Sequence, residues 1–307
     1  YLAVDRHDRR KAARAEARHG LQREQPVIRG LFLAGKAQIL IHRIVDRAGL
    51  AHMAGCAGAD LDDVLSLGFQ GKILVKCSHT VDLGCADAKL FCHEGQRLLA
   101  QTSVAVVGAG GLGAPILYYL TAAGIGRIAI IDCDVVSPSN LQRQILYQES
   151  DLAHPKAIQA QKRLIALNRT LHIEAITERL NETNVATLLA DYQIIVDATD
   201  NYPSRYLLDD YTRSTAKPLV HGAIEGWRGQ CTIFAPSSSL RYRDLYSEPH
   251  SAEKTVPPGV IGATAGVIGS IQASQTLQLA LGQTPALLGK LLIVDLWHGS
   301  WHTYDLA

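Results

Sequence analysis

Three glycines and one aspartate in the middle of the chain have the spacing of a nucleotide-binding site. Gly108, Gly110 and Gly113 form a GxGxxG turn directly after an apolar run and directly before a helix-like stretch. Such glycines let backbone N–H groups approach a phosphate, and the N-terminus of the following helix adds its positive dipole end. Asp132 ends the next apolar run about twenty residues later, where a carboxylate can accept hydrogen bonds from a ribose. Alone, this pattern fits a dinucleotide used for hydride transfer, ATP, or a purely structural turn.

Two cations downstream of Asp132 favour ATP. Arg143 and Lys156 lie in the stretch DCDVVSPSNLQRQILYQESDLAHPKA, just past the end of the second predicted strand. Dinucleotide binding has no evident use for both. A triphosphate does, because two cations can neutralise the β- and γ-phosphates and the charge that develops on a leaving pyrophosphate. Either residue alone would be interpreted as an ordinary surface charge. Together with the glycine turn, the two residues indicate binding of a triphosphate.

Two carboxylates follow a later strand. Asp197 and Asp200 belong to the stretch VDATDN, at the carboxyl end of another apolar run. Ligands of open α/β sheets bind at this end of the strands. A carboxylate there can hold Mg²⁺ that bridges phosphate oxygens.

The elements that must position these residues alternate along the chain. From about residue 100, helix-like stretches separate strand-like runs, which read VAVVGAG, GRIAIIDCD, LHIEAI, DYQIIVDATD, KPLVHGAI, QCTIFAP and LLIVDLW. This alternation predicts an α/β fold, a Rossmann-like doubly wound and mainly parallel sheet whose late strands turn antiparallel. We assign residues 93–307 to an ATP-binding domain and residues 1–92 to a separate small N-terminal module. Residues 236–258 are polar and bounded by prolines, which predicts a long crossover loop.

Composition excludes several classes of partner. The chain has 307 residues, 47% of them hydrophobic, and a formal net charge of +1, which gives no electrostatic footprint for nucleic acid or for an anionic membrane. No apolar run reaches the roughly 20 residues of a membrane span, and the first residues are charged rather than signal-like, so we expect a cytoplasmic protein. The six cysteines contain no CxxC pair and are predicted to be free thiols.

Five ordered motifs carry a resemblance to a known family. They are GAGGLG, the DxD of Asp132 and Asp134, SNLQRQ, the pair Pro155–Lys156, and DATDN. With these motifs the chain resembles the ThiF/MoeB/HesA family, the bacterial relatives of ubiquitin-activating enzymes, from about residue 94 to residue 305. The resemblance implies an enzyme that binds ATP and Mg²⁺, adenylates a carboxylate, releases pyrophosphate and works as a homodimer.

The resemblance also implies roles for individual residues. The turn would cradle the phosphates and the DxD aspartates would lie at the ribose, with Asp132 holding it. Asn140, Arg143, Gln144 and Lys156 would contact the phosphates. Asp200 would hold Mg²⁺ or lie close to the α-phosphate. The predicted catalytic residues are Arg143, Lys156 and Asp200, and the predicted nucleotide-binding residues are Gly108, Gly110, Gly111, Gly113, Asp132, Asp134, Asn140, Arg143, Gln144, Lys156 and Asp200.

Three departures from the family pattern bear on the substrate. Sulfur-carrier activators hold zinc with two CxxC pairs, whereas Arg241 and Asp244 stand at the first pair here and no second pair follows, so we expect no zinc site. Pro257 and Pro258 stand where covalent members place a cysteine, so we expect no enzyme thioester. No R-[YF]-S-R-Q-like segment precedes EGQRLL, and which N-terminal arginine replaces it stays open.

These departures resemble the branch that matures ribosomal peptides, as in microcin-type or pantocin-type antibiotics. The resulting hypothesis is adenylation of a carboxylate in a peptide substrate, with the N-terminal module as a possible peptide clamp. The alternative is a sulfur-carrier protein adenylyltransferase of thiamine or molybdopterin biosynthesis. A tRNA-modifying dehydratase, an NAD-dependent oxidoreductase and a non-catalytic binding protein are further alternatives.

Overall fold

A computed structural model of the chain describes residues 88–238, 240–247 and 259–306. The predicted N-terminal module lies outside the described residues, apart from residues 88–92. Pro257 and Pro258, at the position of the family cysteine, lie outside them as well.

A single eight-stranded sheet forms the centre of the described residues. Its strand order is β3-β2-β1-β4-β5-β6-β7-β8; β1 to β5 pair in parallel and β6 to β8 antiparallel. The predicted α/β fold, mainly parallel with antiparallel late strands, is confirmed. The strands are β1 (Ser103–Val107), β2 (Arg127–Ile131), β3 (His172–Ile176), β4 (Ile194–Asp197), β5 (Leu219–Glu225), β6 (Arg228–Phe234), β7 (Lys290–Asp295) and β8 (Ser300–Asp305).

Helices cover both faces of the sheet. They are α1 (Ala88–Gln101), α2 (Gly113–Ala123), α3 (Lys156–Leu167), α4 (Val185–Leu189), α5 (Tyr202–Ser214), α6 (Tyr242–Leu245) and α7 (Gly262–Ala280). In β1 the four residues after Ser103 are apolar and buried because helices cover both faces of the strand. Val104 packs in the same core cluster as Leu117 of α2, whereas its neighbour Ala105 packs in the cluster of Leu208 of α5. A strand covered on both faces needs apolar residues at every position.

The chain order creates a switch point between β1 and β4. From β1 the chain moves outward to β2 and β3, and it then returns to place β4 on the other side of β1. Crossovers on the two sides leave a crevice outside the carboxyl ends of β1 and β4, which is where sheets of this kind bind ligands.

Two elements differ from the sequence prediction. The last strand, β8, was not predicted; among the described strands it lies at the edge of the sheet, pairs with β7 and is mostly exposed. The crossover predicted as a loop contains the short helix α6. Among the described residues, no helix is both long and apolar enough to cross a membrane.

Candidate functional site

The glycine turn and the end of β4 meet at the switch point. Ala198 N donates to Val107 O at 2.9 Å, which brings the two strand ends together. Gly108 has φ +99°, and a Cβ on it would lie 2.5 Å from Ala198 O. A Cβ on Gly113 would overlap Gly108 O. Both glycines are therefore required by the close approach of backbone to backbone.

Asp132 is fixed to the glycine turn by its carboxylate. Oδ2 accepts a hydrogen bond from Ala109 N at 2.8 Å and Oδ1 accepts one from Asp134 N at 2.9 Å. Burial raises the pKa of Asp132 above its ordinary value, against the lowering effects of Lys156 and of these two N–H donors. Each oxygen keeps a second lone pair, so the carboxylate can still accept hydrogen bonds from ribose hydroxyls.

Arg143 and Gln144 lie directly against the glycine turn. Gln144 Nε2 is 3.4 Å from the position of a Cβ on Gly110, and Arg143 Cγ is 3.6 Å from the position of a Cβ on Gly111. Gln144 is buried, and its Oε1 has no hydrogen-bond partner among the residues that the structure describes. Arg143 Nη1 donates to Ser139 O at 2.9 Å. The structure therefore brings both predicted phosphate contacts to the turn.

Asn140 fixes the backbone from which these two side chains extend. Its backbone oxygen accepts from Arg143 N at 3.1 Å and from Gln144 N at 2.9 Å, and its Oδ1 accepts from Ser137 N at 3.2 Å. The N-terminus of α7 packs against the same segment, since a Cβ on Gly262 would lie 2.7 Å from Gln142 O. The observed contacts of Asn140 are thus those of a turn-forming residue.

Lys156 is buried beside the second aspartate of the DxD motif. Its Nζ lies 3.0 Å from Asp134 Oδ2, and its backbone N donates to Asp134 O at 2.9 Å. The lysine side chain is 7% exposed, whereas that of Asp134 is 60% exposed. Because burying an ammonium group is costly unless it is paired, the lysine needs an anion here, and its present partner is open to solvent.

Tyr147, which the sequence analysis missed, connects the turn to Lys156. Its hydroxyl donates to Ala109 O at 2.8 Å and lies 3.4 Å from Lys156 O. Burial raises the pKa of Tyr147 well above its ordinary value, so the hydroxyl keeps its proton. A lone tyrosine in a mixed stretch carries no spacing signal that could have identified it.

The two carboxylates after β4 have different environments. Asp200 is exposed, and Asn201 Nδ2 donates to its Oδ1 at 3.4 Å. Asp197 is fully buried and lies 2.6 Å from His221 Nδ1. Burial raises the pKa of Asp197, but the hydrogen bond and charge of His221, with the charge of Arg205, outweigh burial and lower it overall. Of the pair, Asp200 is the one that an added metal ion could reach.

Arg241 and Asp244, which the sequence analysis places at the first cysteine pair of the family, form ion pairs and a helix cap. Arg241 Nη2 lies 2.6 Å from Asp210 Oδ1 and 3.2 Å from Asp209 Oδ2. Asp244 Oδ2 accepts from Arg241 N at 2.7 Å, which caps the short helix α6. Among the described residues, no group of His, Cys, Asp and Glu side chains could hold a metal ion by itself. Ion pairs attach this part of the crossover to α5.

Comparisons with known proteins identify the family of the chain. The model of the ThiF family matches residues 85–307. The sulfur carrier protein adenylyltransferase of Thermus thermophilus is 42% identical over 216 residues, which cover 68% of this chain and 80% of that protein. The SAMP-activating enzyme E1 of Haloferax volcanii is 42% identical over 205 residues, covering 66% of this chain and 76% of that protein.

Solved structures share the fold. The structure of E. coli MccB with AMPCPP and MccA superposes with a TM-score of 0.64 at 18% identity, covering 70% of this chain and 66% of that chain. At this identity the likeness concerns the fold alone.

Proposed function

The chain belongs to the ThiF family and is an ATP-dependent adenylating enzyme, and we propose that its substrate is the terminal carboxylate of a small sulfur-carrier protein. The observation that carries this choice is the 42% identity, over 68% of the chain, to a protein named as a sulfur carrier protein adenylyltransferase. It favours the alternative of the sequence analysis over the peptide substrate that was preferred there.

The proposed reaction is a single displacement at phosphorus. A carboxylate oxygen of the substrate forms a bond to the α-phosphorus of ATP, the bond from that phosphorus to the bridging oxygen breaks, and pyrophosphate leaves. The carboxylate is ionised at neutral pH, so no general base is needed. The enzyme contributes positioning and the neutralisation of charge on the phosphates.

Each site residue has a proposed role in positioning ATP or in neutralising its charge. The backbone of the glycine turn holds phosphate oxygens, and Asp132 accepts from the ribose beside Asp134. Asn140, Arg143, Gln144 and Lys156 form the phosphate side of the crevice, with the two cations facing the leaving pyrophosphate. Asp200 supplies an exposed carboxylate that would hold Mg²⁺, and the ion would supply positive charge that neutralises the phosphates. The close backbone approach at Gly108 and the ion pair between the buried Lys156 and the exposed Asp134 support this assignment.

A peptide carboxylate is the second candidate substrate. By the family resemblance, Arg241 and Asp244 stand at the first cysteine pair in the crossover, and Pro257 and Pro258 stand where covalent members place a cysteine. Both features fit an enzyme that stops at the acyl-adenylate. In this case residues 1–92 would hold the peptide and raise its effective concentration at the site. In either case we propose that the enzyme acts as a homodimer, as the family resemblance implies.

Intact-mass spectrometry separates the two substrates. The enzyme is incubated with ATP, Mg²⁺ and inorganic pyrophosphatase, together with either a carrier protein that ends in Gly-Gly or a short peptide. We expect a mass increase of one AMP on the carrier protein. The same carrier without its last glycine is the control and should stay unmodified. AMP on the peptide alone would replace the first proposal by the second.

A further inference from the structure

We propose that Arg205, together with the buried Asp197, is a positioning residue that fixes the turn of residues 198–200 and thereby aims the carboxylate of Asp200. The inference rests on the proposed function, in which Asp200 holds Mg²⁺ with ATP. Sequence analysis did not single out Arg205, because an arginine in the first turns of an amphipathic helix reads as a surface charge.

All three polar groups of Thr199 are bound to this pair of residues. Thr199 N donates to Asp197 Oδ1 at 2.9 Å, and Thr199 Oγ1 donates to the same oxygen at 2.7 Å. Arg205 Nη2 donates to Thr199 O at 3.0 Å. The residue directly before Asp200 is therefore held from both sides, whereas the hydrogen bond to the Asp200 carboxylate itself is long, at 3.4 Å.

The two side chains that hold Thr199 are buried and carry opposite charges. Arg205 Nε lies 3.9 Å from Asp197 Oδ2, with the two side chains 12% and 0% exposed. His221 Nδ1 lies 2.6 Å from the same oxygen. Gln272 Nε2, from α7, donates to the backbone oxygen of Asp197 at 2.8 Å. Tyr242 from α6 packs its ring 5.0 Å from that of His221. A buried ion pair contributes little net stability. In this proposal, the pair of Arg205 and Asp197 serves to fix the position of Thr199.

The fixed turn is continuous with the nucleotide site. Ala198 bonds to the end of β1, and Gly108 approaches its carbonyl so closely that only a glycine fits. A shift of Thr199 would therefore move Asp200 relative to the glycine turn. Misplacement of a site by about 1 Å can cost about 100-fold in rate, so a clamp on Thr199 is a functional requirement of the proposed Mg²⁺ site.

The test measures nucleotide affinity by calorimetry, with Mg²⁺ and with EDTA, on the full chain. The ratio of the two affinities reports how well the site uses the metal, independently of turnover. We expect this ratio to fall about 10-fold or more in Arg205→Met, while the affinity for metal-free ATP stays unchanged. Arg205→Lys keeps the charge but loses the forked donors, and it should recover only part of the ratio.

Two further variants keep the result interpretable. Arg213→Met removes an arginine of the same helix whose Nη1 donates to Ser238 O at 3.2 Å in the crossover, and it should leave the ratio unchanged. If Arg205→Met fails to fold, Thr199→Val replaces it, because valine keeps the shape and removes only the hydroxyl bond to Asp197. A role limited to stability would lower the melting temperature without changing the ratio.

A double-mutant cycle with Asp200→Ala decides whether Arg205 acts through Asp200. We expect Arg205→Met to have no further effect on the ratio in the Asp200→Ala background, since residues that act on one site are not additive. Additive effects, or an Arg205→Met variant with the wild-type ratio, would overturn the inference and leave the proposed function standing. A wild-type protein that binds ATP equally with and without Mg²⁺ would overturn both.

Discussion

At the scale of single residues, Asp200 is the residue on which the proposed chemistry depends most. We expect Asp200→Ala to abolish ATP–pyrophosphate exchange, because the carboxylate that would hold Mg²⁺ is lost. The carboxylate is exposed, so the free energy of unfolding should change by no more than about 0.5 kcal/mol. Exchange assays and thermal unfolding measure the two effects.

Asp191→Ala is the matched control for Asp200. Asp200 follows the end of β4, and Asp191 lies shortly before its start. The side chain of Asp191 is 70% exposed and lies 3.4 Å from Arg127. Exposed ion pairs contribute about 0–1 kcal/mol, so this variant should keep full exchange activity. Retained turnover in Asp200→Ala would count against the assignment of the site.

Lys156 is the second test at this scale. We expect Lys156→Met to weaken ATP binding by about 1.5–3 kcal/mol, roughly 10- to 100-fold, because a charge-assisted hydrogen bond to phosphate is lost. Lys162→Met changes an exposed lysine of the same helix and should bind ATP as the wild type does. Equal affinities in both variants would remove Lys156 from the phosphate site.

The residues that sequence could identify are those in motifs with a fixed order. Such motifs contain the glycines of the turn, Asp132, Arg143, Lys156 and Asp200. In the structure, Asp132 and Arg143 both contact the glycine turn. Tyr147 supports the site through a contact with Ala109 O, 38 residues away along the chain, which depends on how the strands are ordered. Arg205 contacts Thr199 O, six residues away. It was missed because a lone arginine near the start of an amphipathic helix has the pattern of a surface charge.

At the scale of elements, the glycine turn couples β1 to β4. We expect Gly108→Ala to lower the free energy of unfolding by at least about 1–3 kcal/mol, the range for non-glycine residues in strained backbone. The clash with Ala198 O adds to this cost. Urea unfolding measures the difference.

Gly266→Ala is the control for the glycine turn. Gly266 lies within α7, and a Cβ there would meet no atom within 4 Å. Alanine in a helix should stabilise the protein by about 0.5–1 kcal/mol relative to glycine. A similar loss of stability in both variants would show that the turn is not under special constraint.

Strands with continuous apolar runs were predicted because burial on both faces fixes their composition. The edge strand β8 was missed for the opposite reason. Its sequence SWHTYD is exposed at nearly every position, so its pairing with β7 leaves no hydrophobic pattern. The short helix α6 was missed because ion pairs and a cap hold it, rather than an amphipathic repeat.

At the scale of the whole molecule, stability should fall at acid pH. Burial opposes ionisation of Asp197, but His221 and Arg205 hold its pKa below the ordinary 3.8. The hydrogen bonds and charges of Arg243 and Arg241 lower the pKa of Asp210 in the same way. A lowered pKa in the folded state gives stability that is present above the unfolded value and is lost as pH falls through the folded value.

The contributions of Asp197 and Asp210 to the free energy of unfolding should be constant above about pH 4 and should decrease below it. Urea unfolding from pH 2.5 to pH 7 measures the profile. Asp210→Asn removes one of the contributing carboxylates and should make the decline shallower. An unchanged profile in this variant would mean that the arginine pairs do not perturb Asp210.

The central claim is that the molecule activates the carboxylate of a carrier protein with ATP. ATP–pyrophosphate exchange with the purified full chain tests it most directly, with a carrier protein ending in Gly-Gly and a short peptide added one at a time. We predict exchange that requires both Mg²⁺ and the carrier protein and is absent with the peptide. Exchange with the peptide alone would contradict the choice of substrate, and no exchange with any carboxylate substrate would contradict the adenylation chemistry.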